Sequence, residues 1–461
     1  MSSPSAPREQ WGSKIGFILA AAGSAIGLGN IWKFPYVAGE NGGSAFIIIY
    51  LICTAVIGLP VLVGEILIGR STQLNPVGAF RTLSKSKFWA GVGGMGVVAG
   101  FLILSFYAVI AGWSLGYIYE SISGGLFSYA DPTKAADHFV ELTNNLTWTI
   151  GYFAAFMILT IVVVFAGVQK GIERGSKIMM PLLFLLLIFV MIRGITMEGS
   201  SEGLRFLLEP NWSHVNGQTV LIALGQAFFT LSMGMGAMLT YGSYMSKKDS
   251  IPASALQIVI LDTSIALIAG IAIFTSVFAV GLDVNAGPGL IFHTLPAVFT
   301  KMPGGEFIGP IFFVLLTIAA LTSAISLLEV ITAYFVDEKG WSRHKAVIVF
   351  GGFTFLLGLP SAFSFNIMSN FTIFGLNFFD LVDYLTSNIM LPLGGLLIAV
   401  FIAYVWKFDK ALVELKKGAE NIFNNYPLLI TLWQIFIKYF APVLIFLVLL
   451  HSLGLLDFLS L

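Results

Sequence analysis

Polar side chains are scarce inside the apolar stretches of this 461-residue chain, and several of those present stand beside glycines. Asn30 follows Gly23, Gly27 and Gly29; Thr230 and Ser232 precede Gly234 and Gly236; Thr322 and Ser323 are adjacent; Asp262 is a lone carboxylate. Glycine weakens a helix because it loses the most backbone freedom on ordering. Clustered glycines at mid-stretch therefore predict a helix that breaks, freeing N–H and C=O groups. Freed carbonyls with Asn, Thr and Ser oxygens can replace the hydration shell of a small hard cation. Freed amides and a half-helix N-terminus can hold a carboxylate. Both kinds of group at one depth point to a zwitterion and a cation bound together.

The elements that must position these groups are membrane helices. Hydrophobic residues make up 57% of the chain and charged residues 10%, against about 45–50% and about 25% in soluble domains. At ~20 residues per span, eleven apolar segments emerge near 14–37, 43–69, 89–120, 149–167, 176–194, 218–245, 252–281, 308–336, 345–360, 376–406 and 427–456. This predicts an all-α membrane protein with about 11 transmembrane helices in contact with the lipid bilayer. Residues 1–13, with Pro4, Pro7, Arg8 and Glu9, lack a signal-peptide pattern and read as a cytoplasmic segment. With that end inside, Lys and Arg concentrate in inner segments (Arg70, Arg81, Lys170, Lys247, Lys339, Lys416), whereas outer loops hold only Lys134, Arg193, Arg205 and Lys301.

Zero net charge gives no reason to expect a nucleic-acid partner. The single Cys53 excludes an intrachain disulfide or a cysteine metal cluster. Five histidines (His138, His214, His293, His344, His451) are scattered, and no soluble domain is long enough to add catalysis, so no enzyme is expected.

The glycine-rich breaks fall in the first and sixth spans, five helices apart. Close helix packing also uses glycine, but two such runs, each flanked by polar side chains, favour paired broken helices. They predict a 5+5 inverted repeat, 14–194 and 218–406, with 427–456 as an eleventh helix outside it.

The run Gly23-Ser24-Ala25-Ile26-Gly27-Leu28-Gly29-Asn30-Ile31-Trp32-Lys33-Phe34-Pro35, then Glu40-Asn41-Gly42-Gly43, Gly58-Leu59-Pro60, Glu65 and Gly69-Arg70 resemble the neurotransmitter:sodium symporters, in their bacterial amino-acid branch. The resemblance extends from Arg8 to about the tenth span. That family usually has twelve spans, one more than is counted here. The resemblance implies two sodium sites. Na1 would take Ala25, Asn30, Thr230, Asp262 and the substrate carboxylate; Na2 would take carbonyls of Gly23, Ile26 and Ala319 with the hydroxyls of Thr322 and Ser323. It implies that Tyr107 and the amides of Leu28 and Gly29 hold the substrate carboxylate. The amino group would face Ala25, Phe229 and Ser232. Ile103, Phe229, Met235, Ser323 and Leu327 would line the side-chain pocket. Gly27 stands where monoamine transporters carry an aspartate, which argues for an amino acid. Met235, flexible and polarisable, argues for broad tolerance of large apolar side chains.

Ionisable residues inside spans are functional candidates by default. Chloride-dependent relatives have asparagine at position 262 and draw chloride to positions matching Tyr50, Gln226, Thr230 and Ala266; the carboxylate here implies no chloride requirement. Glu65 is expected to brace the broken first helix. Lys33 with Asp383 match an outer gate over Phe229 and Tyr107. Arg8 with Asp337 match an inner gate supported by Trp11 and Tyr244; Glu329 reads as structural. Gly171, Gly175 and Pro181 mark a place where the fifth span could unwind. The expected function is sodium-coupled import of hydrophobic amino acids by alternating access across a bacterial cytoplasmic membrane, a monomer sufficing. A channel would need breaks repeated around an axis. A non-transporting amino-acid sensor would keep the same site.

Overall fold

The computed structural model describes residues 9–128, 131–282 and 290–456. Among them every regular element is helical, apart from an isolated bridge between Ile373 and Leu376. Nine helices among the described residues are long and apolar enough to cross a bilayer: Ser44–Thr72, Lys87–Ile122, Leu146–Phe165, Val168–Ile195, Ile251–Ala279, Gly305–Lys339, Arg343–Phe363, Phe378–Val405 and Leu428–Ser452. A further span is a bent pair, Lys14–Ala25 and Gly29–Glu40, whose halves diverge by 50°. The segment expected at 218–245 is two helices, Gly217–Thr230 and Ala237–Ser243, each too short to cross alone. Counting each broken pair once, the spans are first to eleventh in chain order.

The first break has a local cause. The helix opens at Ser13, whose hydroxyl accepts from Gly16 N at 3.1 Å, and ends where Ile26 turns extended (ψ 105°). An unpaired backbone group in hydrocarbon costs several kcal/mol, so the break must be mended. Asn30 Oδ1 accepts the Gly27 amide at 3.1 Å and does part of that mending. Helix then resumes through a wide π turn, Gly29–Lys33.

The sixth span breaks differently. Ser232 (φ 52°), Gly234 (φ 84°) and Gly236 (φ 76°) adopt left-handed conformations, which suit glycine and strain serine. Gly234 also lies so close to the Leu391 carbonyl that a Cβ there would collide with it. The helix N-terminal to the break starts cleanly at a capping box, Asn216 with Thr219.

Around these two breaks the long third and eighth spans pack lengthwise against each other, and the seventh lies against the first. The eighth also meets the first span and the second half of the sixth, so the first, third, sixth and eighth spans enclose one central volume. At the Lys-rich end Arg70 is fully buried. Its guanidinium reaches Asp249 O at 2.6 Å, Glu414 O and the Glu414 carboxylate, tying the second span to the helix Phe408–Lys416.

Candidate substrate and cation site

The adjacent hydroxyls of the eighth span point at the carbonyls freed by the first break. Ser323 Oγ lies 3.1 Å from Ser24 O, 3.4 Å from Ile26 O and 3.5 Å from Gly23 O. Thr322 Oγ1 lies 2.9 Å from Ala319 O and 3.4 Å from Ile26 O. All five positions expected to form Na2 thus meet in one oxygen cluster with no formal charge. Ser24 belongs there too, although its role was not foreseen. Its carbonyl also accepts from Ser232 Oγ at 2.8 Å, and its hydroxyl meets Ser326 Oγ at 2.7 Å. The two breaks and the eighth span are therefore joined through one residue.

A second cluster forms at Asp262, which is wholly buried. Its Oδ1 accepts from Asn30 Nδ2 at 2.8 Å and from Thr230 Oγ1 at 3.2 Å. No Lys, Arg or His lies within 4 Å of it among the described residues. A buried carboxylate held only by neutral donors is costly, so its surroundings suit a cation. Gln226 Nε2 donates to Gly29 O at 2.9 Å, and its Oε1 is buried without a hydrogen-bond partner. Ala266, one turn beyond Asp262, brings no hydroxyl.

Between the clusters lies a cavity of about 30 Å³ lined by Ala25, Gly27, Leu28, Gly29, Ile103, Tyr107, Phe229, Ser232, Met235, Ser323 and Leu327. These are the eleven positions named from sequence. Tyr107 Oη accepts the Leu28 amide at 3.2 Å. A Cβ on Gly27 would collide with Ser323 Oγ and come within 2.8 Å of Tyr107 Oη, so a side chain here would displace both hydroxyls. The free space there is small, enough for a few waters.

The outer barrier differs from expectation. Lys33 and Asp383 form no ion pair within 4 Å; Lys33 Nζ instead sits 4.2 Å from the centre of the Phe229 ring, a cation–π contact. Asp383 accepts from Ser387 Oγ, one turn on, at 2.7 Å, which satisfies it locally. Arg8 lies outside the described residues. Its expected partner Asp337 accepts the Asn75 amide at 2.9 Å.

Trp11 does pack edge-on against Tyr241 and Tyr244, donating Nε1–H to Tyr241 O at 2.9 Å. Tyr244 Oη donates to Glu329 at 2.6 Å, and Glu329 is ion-paired with Arg343. Glu329 is thus the buried anchor of a charged network. Arg343 carries no motif in the sequence. Its one available signal was its place at the first turn of the span after Glu329.

Two further acids were missed. Glu173 accepts Gly12 N at 2.6 Å and Ser13 Oγ at 2.8 Å, while Glu9 accepts Val168 N at 2.9 Å. Glu9 thus caps the helical turn that carries Glu173, as anions at helix N-termini do, and Glu173 holds the turn that leads into the first span. The stretch expected to unwind is helical here, with a π turn at Val168–Glu173 after Gly167 (φ 91°). Glu65 needs correction: its Oε1 accepts Gly234 N at 2.6 Å, in the sixth span and not the first. The cause is packing, since the second span lies along the helix just after that break, with Gly242 against the Ile66 backbone.

The profile described as the sodium:neurotransmitter symporter family matches residues 8–136 and 135–458. The chain belongs to this family. It is therefore a sodium-dependent symporter and not an enzyme. Among other members of the family, the sodium-dependent transporter YhdH of Bacillus subtilis (strain 168) is 44% identical over 97% of this chain and 98% of its own. The structure of MhsT in complex with L-phenylalanine is 48% identical, covers 97% of this chain and 100% of its own, and superposes with a TM-score of 0.88. A more distant relative, the sodium- and chloride-dependent taurine transporter of Rattus norvegicus, is 27% identical over 91% of this chain and 73% of its own.

Proposed function

We propose that this symporter imports hydrophobic L-amino acids, phenylalanine, tryptophan and leucine among them, with two sodium ions and without chloride. The observation that carries the reading is the cavity itself. It lies between a charged and an uncharged oxygen cluster and is crossed by one amide–tyrosine contact, Leu28 N to Tyr107 Oη. On this reading the substrate carboxylate takes the Leu28 and Gly29 amides and Tyr107 Oη, and also touches the sodium beside Asp262. Ion and substrate then stabilise one another because they share a ligand. The amino group faces the carbonyl side, and Met235, Leu327 and Ile103 receive the side chain.

Gly27 supports an α-amino acid, because it brings no carboxylate to pair with an amine. The phenylalanine in the MhsT structure supports a large apolar side chain. Asp262 supports chloride independence: it sets a fixed negative charge beside the ion, whereas the taurine carrier is chloride-dependent. Transport by alternating access uses the sodium gradient and the membrane potential, about 2.3 kcal/mol per charge per 100 mV. One chain is the working unit, its two five-helix repeats (14–194 and 218–406) rocking about the shared breaks, with the N-terminus on the cytoplasmic side of a bacterial inner membrane.

Counterflow in proteoliposomes tests the reading. Labelled tryptophan and leucine are expected to exchange only with sodium, each competed by the other and by phenylalanine. Sodium-dependent binding without exchange would identify a sensor instead and overturn the proposal.

A further inference from the structure

A cavity of about 500 Å³ lies away from the central site, between the third, eighth and ninth spans. Twelve residues line it, and only Tyr334 brings a polar side-chain atom. Two of the twelve are Gly91 and Gly94. Two other glycines of the third span are forced by close approach: a Cβ on Gly93 would strike the Pro76 backbone, and one on Gly112 the Phe153 backbone. Gly91 has nothing within 4 Å of where its Cβ would be, and Gly94 only Val77 Cγ2 at 4.0 Å. Each costs up to about 1 kcal/mol of helix stability relative to alanine, yet no packing explains it. Their effect is to widen the groove.

The groove's length is also informative. From Gly91 to Phe101 the third span rises about 15 Å, at 1.5 Å per residue. That is half of a hydrocarbon core of about 30 Å, the depth of one leaflet. Its far end is closed by Phe101 stacked on Phe353, centroids 5.4 Å apart.

Its near end is cationic. Lys85 and Lys87 flank the start of the third span, Lys339 ends the eighth and Lys345 opens the ninth; all four are exposed, and none has a carboxylate within 4 Å among the described residues. Of the nearby acids, Glu338 is taken by Arg81 at 2.7 Å and Asp337 accepts the Asn75 amide at 2.9 Å. Lys345 Nζ is held 4.3 Å over the Trp341 ring, which packs on the groove residues Phe335 and Phe350.

We propose that this groove is a binding site for an anionic phospholipid, one acyl chain lying between the three spans and the phosphate among the four lysines. The side facing the cytoplasm is taken from the proposed orientation. The seat touches the eighth span at Ile331, one turn from the cavity residue Leu327, so the lipid leans on the helix that carries Ser323.

The test is native mass spectrometry of the full chain after exchange into micelles doped with phosphatidylglycerol or phosphatidylcholine, with sodium-dependent uptake followed in liposomes of the same lipids. One phosphatidylglycerol is expected to stay bound, preferred over phosphatidylcholine. The double variant Gly91→Leu/Gly94→Leu is expected to lower its retention by about tenfold through lost chain contacts. Neutralising Lys87, Lys339 and Lys345 to Gln is expected to reduce the preference for the anionic lipid by roughly fivefold per lysine. Equal retention of both lipids by the native chain, or unchanged retention in the glycine variant, overturns the proposal. Uptake by the native chain in the same lipids reports on the transport reading separately, so failure of either is distinguishable.

Discussion

The two oxygen clusters flanking the central cavity are built from different materials. The Asp262 cluster is made of side chains and carries a charge: Asp262, Asn30 and Thr230 meet within 3.2 Å. The Ser323 cluster is neutral and mostly backbone, with carbonyls of Gly23, Ser24, Ile26 and Ala319 facing two hydroxyls. A charged cluster gains strength from its carboxylate and is sensitive to whatever anion stands nearby. A neutral cluster gains strength from geometry, because its carbonyls of Gly23, Ser24 and Ile26 exist as ligands only while the first span stays broken. The first should depend on residue identity, the second on the shape of the break.

The largest effect expected from breaking this contrast is at Asp262. Asp262→Asn keeps the shape and removes the charge, and sodium affinity in uptake assays should fall by about 100-fold, or roughly 3 kcal/mol. Added chloride should recover part of the loss. A variant with native sodium affinity that ignores chloride would erase the distinction between the clusters.

Thr322→Val, equal in shape, removes one neutral ligand. Its half-saturating sodium concentration should rise by about tenfold, with no response to chloride. A chloride response there would mean that charge matters equally at both clusters.

Tyr107→Phe sharpens the contrast from the substrate side. Removing the hydroxyl that accepts the Leu28 amide should raise the KM for amino acid by about fivefold, the worth of one hydrogen bond. The sodium dependence of substrate-free protein should stay at its native value. A shift in that dependence would place Tyr107 in an ion site.

The smallest change is expected for Glu65→Gln, whose amide oxygen can still accept Gly234 N. Uptake should stay within about threefold of native, whereas Glu65→Ala should lower thermal stability by leaving that amide unpaired. Equal melting temperatures for the two variants would show that Glu65 does not brace the break.

The side-chain cluster was the more legible in sequence. Asn30, Thr230 and Asp262 stand out as polar residues in apolar spans, and glycine placement marks both breaks. Carbonyl ligands leave no such mark, since any residue type can supply one; Ser24 was passed over for this reason. Contacts between distant segments were hidden too. Arg343 with Glu329 spans two helices, and Glu173 with Gly12 crosses 161 positions. Neither has a local pattern, because the partners meet only after the spans have packed. Glu65 shows the same limit in reverse: its type announced a brace, but only the packing of the second span on the sixth says which break it holds. Lys33 was read through its charge, and burial beside Phe229 gave it a ring for a partner instead of Asp383. The groove glycines Gly91 and Gly94 look no different in sequence from Gly93, and only the space around them separates their roles.

The most direct test of the account is accumulation of labelled phenylalanine in proteoliposomes under an inward sodium gradient, with chloride replaced throughout by gluconate. The account predicts accumulation above equilibrium that collapses when sodium is replaced by potassium and is unchanged by restoring chloride. No accumulation with sodium, or accumulation only when chloride returns, would contradict it.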